Sequence, residues 1–524
     1  MVQKYLSKLS RLKNARNTTD SYWQEVADLF LPKRDFTVTR IPGQKRMSRI
    51  YDNTGMNTVE LLASSLHGRL TSAYSKWFAL KARANVEDSA WLDDVGQAMF
   101  DTFTNPASLF ASQSYEMYLD VVAFGMGVMF VSYADGAIMY RSRALRDCWV
   151  QENARGQIDT LYWTSEMYPQ DVINEFGEEN VHKNVLEAVK NGKDGKIKVL
   201  HLVEPRDYYK TKNATKKYKK FKSCYVDMDN QHEMKEDGYD SFPYLVPRFS
   251  KRSGETYGYG PAMTALPAVR VLNEMGELML RAAAKGVDPV TLLPVDGAIM
   301  PWRLDPGGIN FYNPDIGEPK PFNTGFRPDY FEFMIKSLRE SVAKTFYVDW
   351  LNLPQLDRMT TVEVQQRTND SLSMLSPVLS RLEAELLSPL IERTFTLMFE
   401  NGMLPLPPEE LQGVDFTIEY TSPIAQAQRS ANSNSLLQAI GVMAQVAQFD
   451  QGVAANFNGD VIVRDMALNT FNLPVKYLRT EEELAQIKQA QQEAQQGAMM
   501  AQQAEQYSKA AGNAAGAVKD LGAV

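Results

Sequence analysis

The sequence predicts an α+β fold that is predominantly helical, and three observations predict it. Apolar residues recur at helical spacing over long stretches, above all from Gly254 to Gly402. Short runs rich in β-branched and aromatic residues, separated by turn residues, cluster between 128 and 227. Between two of the helical stretches lies a segment dense in proline and glycine, which excludes a continuous rod.

Taken in order, residues 1 to 32 read as amphipathic helices whose apolar face, Tyr22, Trp23, Val26, Phe30 and Leu31, closes at Pro32. Tyr51-Asp52-Asn53-Thr54 precedes a helix with Val59, Leu62, Leu66 and Leu70 on one face, and Trp77 to Leu80 reads as a strand. Asp93 to Phe103 and Ser114 to Ala123 are helical. Gly125 and Gly127 then turn the chain into strands at Val128 to Tyr133, Ile138 to Arg141, Cys148 to Glu152 and Ile158 to Trp163. Helices follow at Pro169 to Glu175 and Val181 to Lys190, and β structure resumes at Val199 to Glu204 and Cys224 to Asp227.

Tyr257-Gly258-Tyr259-Gly260-Pro261 is a turn that ends on proline, where a first helical residue has no use for its N–H. The helix that follows carries Leu266, Val269, Leu272, Met275 and Met279 and stops at Gly286 and Pro289, a rod of roughly 40 Å. A second helix starts after Pro328 with Asp329 as its cap. Its stripe, Phe331, Ile335, Leu338, Val342 and Phe346, steps by 4, 3, 4 and 4. Between the rods, Val287 to Arg327 reads as a small excursion with β-like runs at Val290 to Leu293 and Asn310 to Tyr312. Tyr347 to Met359 is an irregular link containing Trp350. Thr360 to Glu363 forms a capping box that opens a third helix, with Leu372, Leu375, Leu379, Leu382, Leu386, Leu390 and Phe395; Pro377 and Pro389 should kink or break it. Rods this thin bury too little to offset the entropy of ordering them, so they need neighbours, and identical subunits are the simplest supply.

Beyond the third helix, Phe416 to Tyr420 is a strand returning to the body, while Ala425 to Phe449 and Asp460 to Phe471 are helical. From Thr480 an Ala/Gln tract has good helix propensity and almost no large apolar side chain after Ile487. It is either a bundled helix in an oligomer or a tail.

The chemistry is mostly excluded. The chain of 524 residues has a net charge of −8, against a dedicated high-affinity DNA binder, and contains no apolar run of transmembrane length and no signal peptide. Cys148 and Cys224 read as two buried thiols without a disulfide framework. Gly192 to Lys196 lacks the spacing and hydroxyl of a phosphate loop, and Pro261 removes an amide that a Gly-rich nucleotide loop would use. His67, His182, His201 and His232 fit no metal-site spacing, and no cofactor is expected. Asp349 and Asp357 allow a loop metal with a nuclease role, though exposed loop acids are the ordinary case. The basic run Lys210, Lys212, Lys216, Lys217, Lys219, Lys220 and Lys222, with Tyr209, Tyr218 and Phe221, reads first as a solvated hairpin and second as a phosphate-tracking loop.

These residues resemble the portal proteins, or head-to-tail connectors, of short-tailed bacteriophages, over most of the chain from about Trp23 to Phe399. The likeness is carried by Tyr51-Asp52-Asn53-Thr54, Leu62 to Leu66, Leu70-Thr71-Ser72, Trp77-Phe78, Asp120 and Phe124-Gly125. It continues through Tyr257 to Pro261, Leu266-Pro267, Leu272-Asn273, Pro289, Thr361-Val362-Glu363-Val364 with Arg367, and Leu382 to Ile391. Val362 departs from the small residue usual at its position.

The resemblance implies a ring, generally of about twelve subunits, around a channel for double-stranded DNA, rather than an enzyme. It implies a wing (1–260), a first stem helix (261–286), a clip (287–327), a second stem helix (328–346) and a tunnel loop (347–359). A kinked wing-to-crown helix (360–401), a return strand (402–424), a crown (425–479) and a barrel or tail helix (480–524) complete the chain. On that reading Leu266, Leu272, Phe331, Ile335, Leu338 and Val342 pack the stem, Trp302, Arg303, Phe311 and Tyr312 dock at the clip, and Lys344, Trp350 and Arg358 meet DNA. The implied partners are further copies of the chain, the terminase large subunit, a tail adaptor, and the major capsid and scaffolding proteins, with no membrane. The implied place is the portal vertex of a virion, after assembly in the host cytoplasm. The alternatives are another structural ring or tail adaptor of a virion, and a metal-dependent nuclease.

Overall fold

The computed structural model describes residues 1–38, 43–45, 47, 49–82, 89–206, 219–287, 291–292, 311–316, 320–321, 328–348, 375–408, 416–420 and parts of 459–500. The chain falls into two compact units, Met1–Lys81 with Val95–Ala427, and Ala82–Asp94 with Gln428–Val524. In the second, the described residues between 483 and 500 are helical, as their composition predicts. The helices expected at Ala425 to Phe449 and Asp460 to Phe471 lie almost wholly outside the described residues.

The first unit opens with one helix, α1 (Val2–Phe30), where several were expected, because nothing in the first thirty residues breaks it. In chain order there follow α2 (Thr54–Leu70), β1 (Phe78–Ala82), α3 (Ser89–Thr104), whose first residues up to Asp94 belong to the second unit, and α4 (Phe110–Phe124). The hairpin β2 (Met129–Ala134) and β3 (Ala137–Ser142) comes next, then β4 (Cys148–Glu152) and β5 (Ile158–Met167). Two short helices, α5 (Pro169–Phe176) and α6 (Lys183–Lys190), lead to β6 (Ile197–Pro205), β7 (Phe221–Asp227), β8 (His232–Tyr239) and β9 (Tyr244–Leu245). Strands β4 to β8 form an antiparallel sheet in sequence order, and β3-β2-β9 form a second sheet.

Alternation along β6 explains how the larger sheet is covered on both sides. Leu200 and Leu202 join Trp149, Tyr162, Cys224 and Val226 beneath Tyr5 and Leu9 of α1. Ile197 and Val199, with the opposite parity, join Met234 beneath Val172 and Phe176 of α5 and Val185 of α6. Both cysteines are buried and unpaired. Arg16 fastens α1 to this sheet: it pairs with Asp20 at 2.8 Å, lies over the Trp149 ring, and donates to the carbonyls of Leu145, Arg146 and Cys148.

Strand β8 was not expected. His232-Glu233-Met234-Lys235-Glu236-Asp237 carries no apolar alternation, because it is the edge of the sheet and shows water a charged face. The basic run ends in this region. Lys219 binds Asp240 and Glu400, and Lys222 binds the Tyr5 hydroxyl and lies near Glu236, so these two amines are engaged within the protein. Residues 207–218 lie outside the described residues.

Candidate functional site

Two helices, α7 (Pro261–Val287) and α8 (Pro328–Thr345), pack against each other. The N-terminal half of α7 buries Leu266, Val269 and Leu272, and the last turn of α8 buries Val342, followed by Phe346. Their other halves are open, so the pair is antiparallel with one rooted end. Asp329 lies in the first turn of α8 instead of capping it, where its charge faces the positive helix end.

The root begins at the glycine turn. Gly125 has φ +78°, and a Cβ on Gly258 would lie 1.9 Å from its carbonyl oxygen, while one on Gly260 would lie 2.6 Å from the Val122 oxygen. Only glycine permits two backbones to approach this closely. Phe249 N–H donates to the Gly125 oxygen and Ser250 Oγ donates to the Tyr259 oxygen, fixing the approach to Pro261. Within α7, Pro267 lacks the N–H that would bond the Met263 carbonyl four residues back. The Tyr22 hydroxyl of α1 donates to that carbonyl at 2.9 Å, so the helix continues through its proline.

The segment before α2 is joined to both helices. Tyr51 N–H donates to Asn273 Oδ1 at 2.7 Å, Asn273 Nδ2 donates to the Arg49 carbonyl, and Gly276 leaves space for Tyr51. The buried Asp52 accepts Thr54 N–H on one oxygen and Arg339 Nε and Nη2 of α8 on the other, at 3.0 and 2.8 Å. Burial works against its charge, but the hydrogen bonds from Thr54 and Arg339 outweigh it and hold the carboxyl below the usual range. Phe346 packs on the Phe30 ring, and Gly55 fits beneath Phe30 and Val269. The sequence marked Tyr51-Asp52-Asn53-Thr54 and Leu272-Asn273 separately; their pairing needed the fold.

Away from the root the helices expose apolar side chains. On α8, Phe333 is 71% and Tyr330 63% exposed; on α7, Leu280 is 60% and Leu278 54% exposed. The expected stripe is graded along α8: Val342 is buried, whereas Phe331, Ile335 and Leu338 are half-buried. Lys344 is exposed on the last turn, and Phe311 and Tyr312 are exposed. In the excursion, β10 (Thr291–Leu292) pairs antiparallel with β11 (Lys320–Pro321). Trp302, Arg303, Trp350 and Arg358 lie outside the described residues, as do Asp349, Asp357 and the capping box at Thr360.

The third helix, expected to kink or break at Pro377 and Pro389, runs from 375 to 400 without a break. Pro377 falls in its first described turn. At Pro389 the chain forms a π turn, Glu383–Leu387, before continuing as α9 (Ser388–Glu400). The Ser388 N–H reaches back five residues to the Glu383 carbonyl. The widened turn makes room for the ring that would press on the Glu385 carbonyl of an α-helix.

Glu385 projects from this turn onto Arg248, accepting its backbone N–H and Nε at 3.0 Å each and its Nη2 at 2.6 Å. The same guanidinium, 2% exposed, also binds Glu152 of β4 and the carbonyls of Gly156 and Thr256, and Lys251 binds Glu152 at 2.6 Å. Burial alone would make Arg248 easier to deprotonate, but Glu385 and Glu152 overcome it and raise its pKa. One buried cation thus joins the sheet, the approach to α7 and the third helix. Among the described residues no group of three metal-ligating side chains occurs. His201 is used internally, between Tyr244 Oη at 2.6 Å and Ser223 Oγ at 2.9 Å, with burial first and Arg143 second lowering its pKa to about 3.

The sequence from 2 to 478 matches the family model of the bacteriophage head to tail connecting protein. This chain belongs to that family. It is 31% identical over 475 residues to the probable portal protein of Bordetella phage BPP-1, covering 87% of this chain and 85% of that protein. It is 29% identical over 470 residues to the portal protein of Salmonella phage epsilon15, covering 85% and 83%. A chain in the solved virion of a native gene transfer agent particle aligns with a TM-score of 0.41 and 12% identity, covering 83% of this chain and 95% of that one. The matched residues include α7, α8, their root and the third helix.

Proposed function

We propose that the chain is a portal subunit that assembles into a ring of about twelve copies at one capsid vertex, through which double-stranded DNA is packaged and later ejected. Membership of the head-to-tail connector family over residues 2 to 478 carries this reading. The rooted pair supports it: α7 and α8 have apolar side chains left open, which copies of the same pair would cover.

In that ring, 1–260 is the wing, α7 and α8 the stem, 287–327 the clip, 347–359 the tunnel loop and 360–401 the wing-to-crown helix. The return strand is 402–424, the crown 425–479 and the barrel 480–524. Trp302, Arg303, Phe311 and Tyr312 offer the clip surface to the terminase large subunit and then to the tail adaptor. Lys344, Trp350 and Arg358 touch passing phosphates transiently, and an overall charge of −8 suits a wall that must not hold its cargo. The major capsid and scaffolding proteins surround the ring during assembly in the host cytoplasm.

Electron microscopy of the purified chain tests the reading. A ring with a hole wide enough for duplex DNA is expected, and a monodisperse monomer at micromolar concentration would overturn it. Translocation unaffected by deletion of Leu351 to Leu356 would remove the role given to the tunnel loop.

A further inference from the structure

Arg143, the residue after β3, is a half-buried cation without an acceptor. Its guanidinium lies 3.8 Å from the centroid of the Trp163 ring and 5.4 Å from that of Phe130. Among the described residues it forms no ion pair and its side chain donates no hydrogen bond; Nε is closed to solvent, whereas Nη1 and Nη2 keep contact with it. Arg16, Arg34, Arg206, Arg248 and Arg393, buried or half-buried like it, each donate to at least one oxygen. A guanidinium held in this way has given up water and gained no acceptor in return, an unfavourable state that a partner would relieve.

The register of the larger sheet places its surroundings. Trp163 of β5, His201 of β6, Tyr225 of β7 and Lys235 of β8 stand opposite one another in a single row, on the face away from α1. His201 and Tyr225 are stacked at 4.1 Å. Trp163 and Tyr225 are half-exposed, and Arg141 and Lys235 are exposed. The two charges that act on His201 are Arg143 and Lys235, both cations, and Arg141 adds a third beside Arg143. Glu175 of α5 acts on the Tyr225 hydroxyl but makes no ion pair with Arg143. The outer face of the sheet thus carries a positive strip on an aromatic floor.

We infer that Arg143 is a docking site for a carboxylate of a second copy of this chain. Stacking on Trp163 fixes the plane of the guanidinium, and its open Nη1 and Nη2 form the fork that a carboxylate bridges with two parallel hydrogen bonds. Three cations are too few for a nucleic-acid track, whose affinity grows with the number of phosphates neutralised, and the chain as a whole carries −8. That same excess, 64 acidic against 56 basic residues, makes a second copy a ready source of carboxylates. The choice of a second copy rests on the portal reading: in a ring each subunit meets its two neighbours through two different surfaces, so a cation on one surface can face an acid on the other. Arginine and tryptophan are also the side chains on which such contacts most often depend.

Full-length Arg143→Gln, Arg143→Glu and Arg143→Lys chains, followed by sedimentation over a range of concentrations, test the site. Each unassembled subunit should melt within about 3 °C of the unaltered one, because no hydrogen bond or ion pair inside the subunit is lost. The concentration for half-assembly should rise at least about tenfold for Arg143→Gln, further for Arg143→Glu, and less for Arg143→Lys, which keeps the charge without the planar fork. Unchanged assembly of Arg143→Gln overturns the inference. So does a subunit that unfolds without Arg143, since the side chain would then serve its own core. A hexaglutamate peptide titrated into subunits below their assembly concentration supplies an arm that needs no ring. Tryptophan fluorescence should change saturably, weaken with added salt, and stay flat in Arg143→Gln and in Trp163→Phe. A flat signal in the unaltered chain overturns the inference, and tighter binding of inorganic phosphate than of the peptide overturns the assignment to a carboxylate. Absence of rings in the unaltered protein counts against the portal reading, and the peptide titration then decides the site by itself.

Discussion

At Gly258 one missing carbon decides how closely two backbones approach. A Cβ there meets the Gly125 oxygen, which is backbone and cannot swing aside, so Gly258→Ala should destabilise the first unit by more than about 2 kcal/mol. Gly254 supplies the control, having φ +83° but open space around it; Gly254→Ala should cost only about 1 kcal/mol of backbone strain. Thermal melting of the two variants separates close approach from conformation, and equal losses would refute the explanation. Two carboxyls make opposite predictions about pH. Asp52 is held below its ordinary pKa, so its contribution is present at neutral pH and disappears as pH falls through its lowered folded value. Asp120, fully buried against Arg34 at 2.8 Å, is pushed up to about 6 by burial, only partly offset by Arg34. The folded chain therefore holds that proton longer than the unfolded one, and stability is lost as pH rises from about 4 to about 6. The stability of Asp120→Asn relative to the unaltered protein should improve by roughly 2 kcal/mol between pH 4 and pH 7, and a pH-independent difference would show that this carboxyl does not titrate there.

For whole elements, the Pro267 turn of α7 makes the next test. Removing the Tyr22 hydroxyl leaves the Met263 carbonyl without the donor that replaces the proline's missing N–H. Tyr22→Phe should thus cost about 1 to 2 kcal/mol, read as a fall in melting temperature, while a neutral effect would mean that water serves as well. The same turn shows what could be read in advance. The stripe of α7 and its start at Pro261 were visible because apolar spacing and a proline at N1 are local signals. The donor that lets Pro267 stay helical comes from 241 residues away and leaves no local trace. Likewise, β8 is not legible in the sequence because edge strands need no apolar alternation, and Pro389 signals a kink or a break without distinguishing either from a π turn. The candidate site divides in the same way: Leu266, Leu272 and Val342 followed from periodicity, whereas Asp52–Arg339 and Arg248–Glu385 join residues that only the fold brings together.

At the scale of the assembled molecule, the exposed end of the α7–α8 pair decides between a surface that stands alone and one built to be covered. Phe333 is 71% exposed, so an aspartate there disturbs little in the isolated chain, where substitutions at open positions typically lie within about 0.5 kcal/mol. In a ring whose subunits cover this face, the same change removes a phenyl ring worth about 2 kcal/mol of burial and introduces a desolvated charge. Each contact between subunits should then weaken by about 30-fold or more. The effect is compounded because a closed ring needs every contact at once. Phe333→Asp should accordingly melt as a monomer at the unaltered temperature yet elute as monomer at concentrations where the unaltered protein forms rings. A matched change at Lys336, exposed on the same helix, should leave rings intact, since an exposed amine contributes little. Rings that survive Phe333→Asp would place the subunit contact on another face of the pair and remove α8 from the assembly surface.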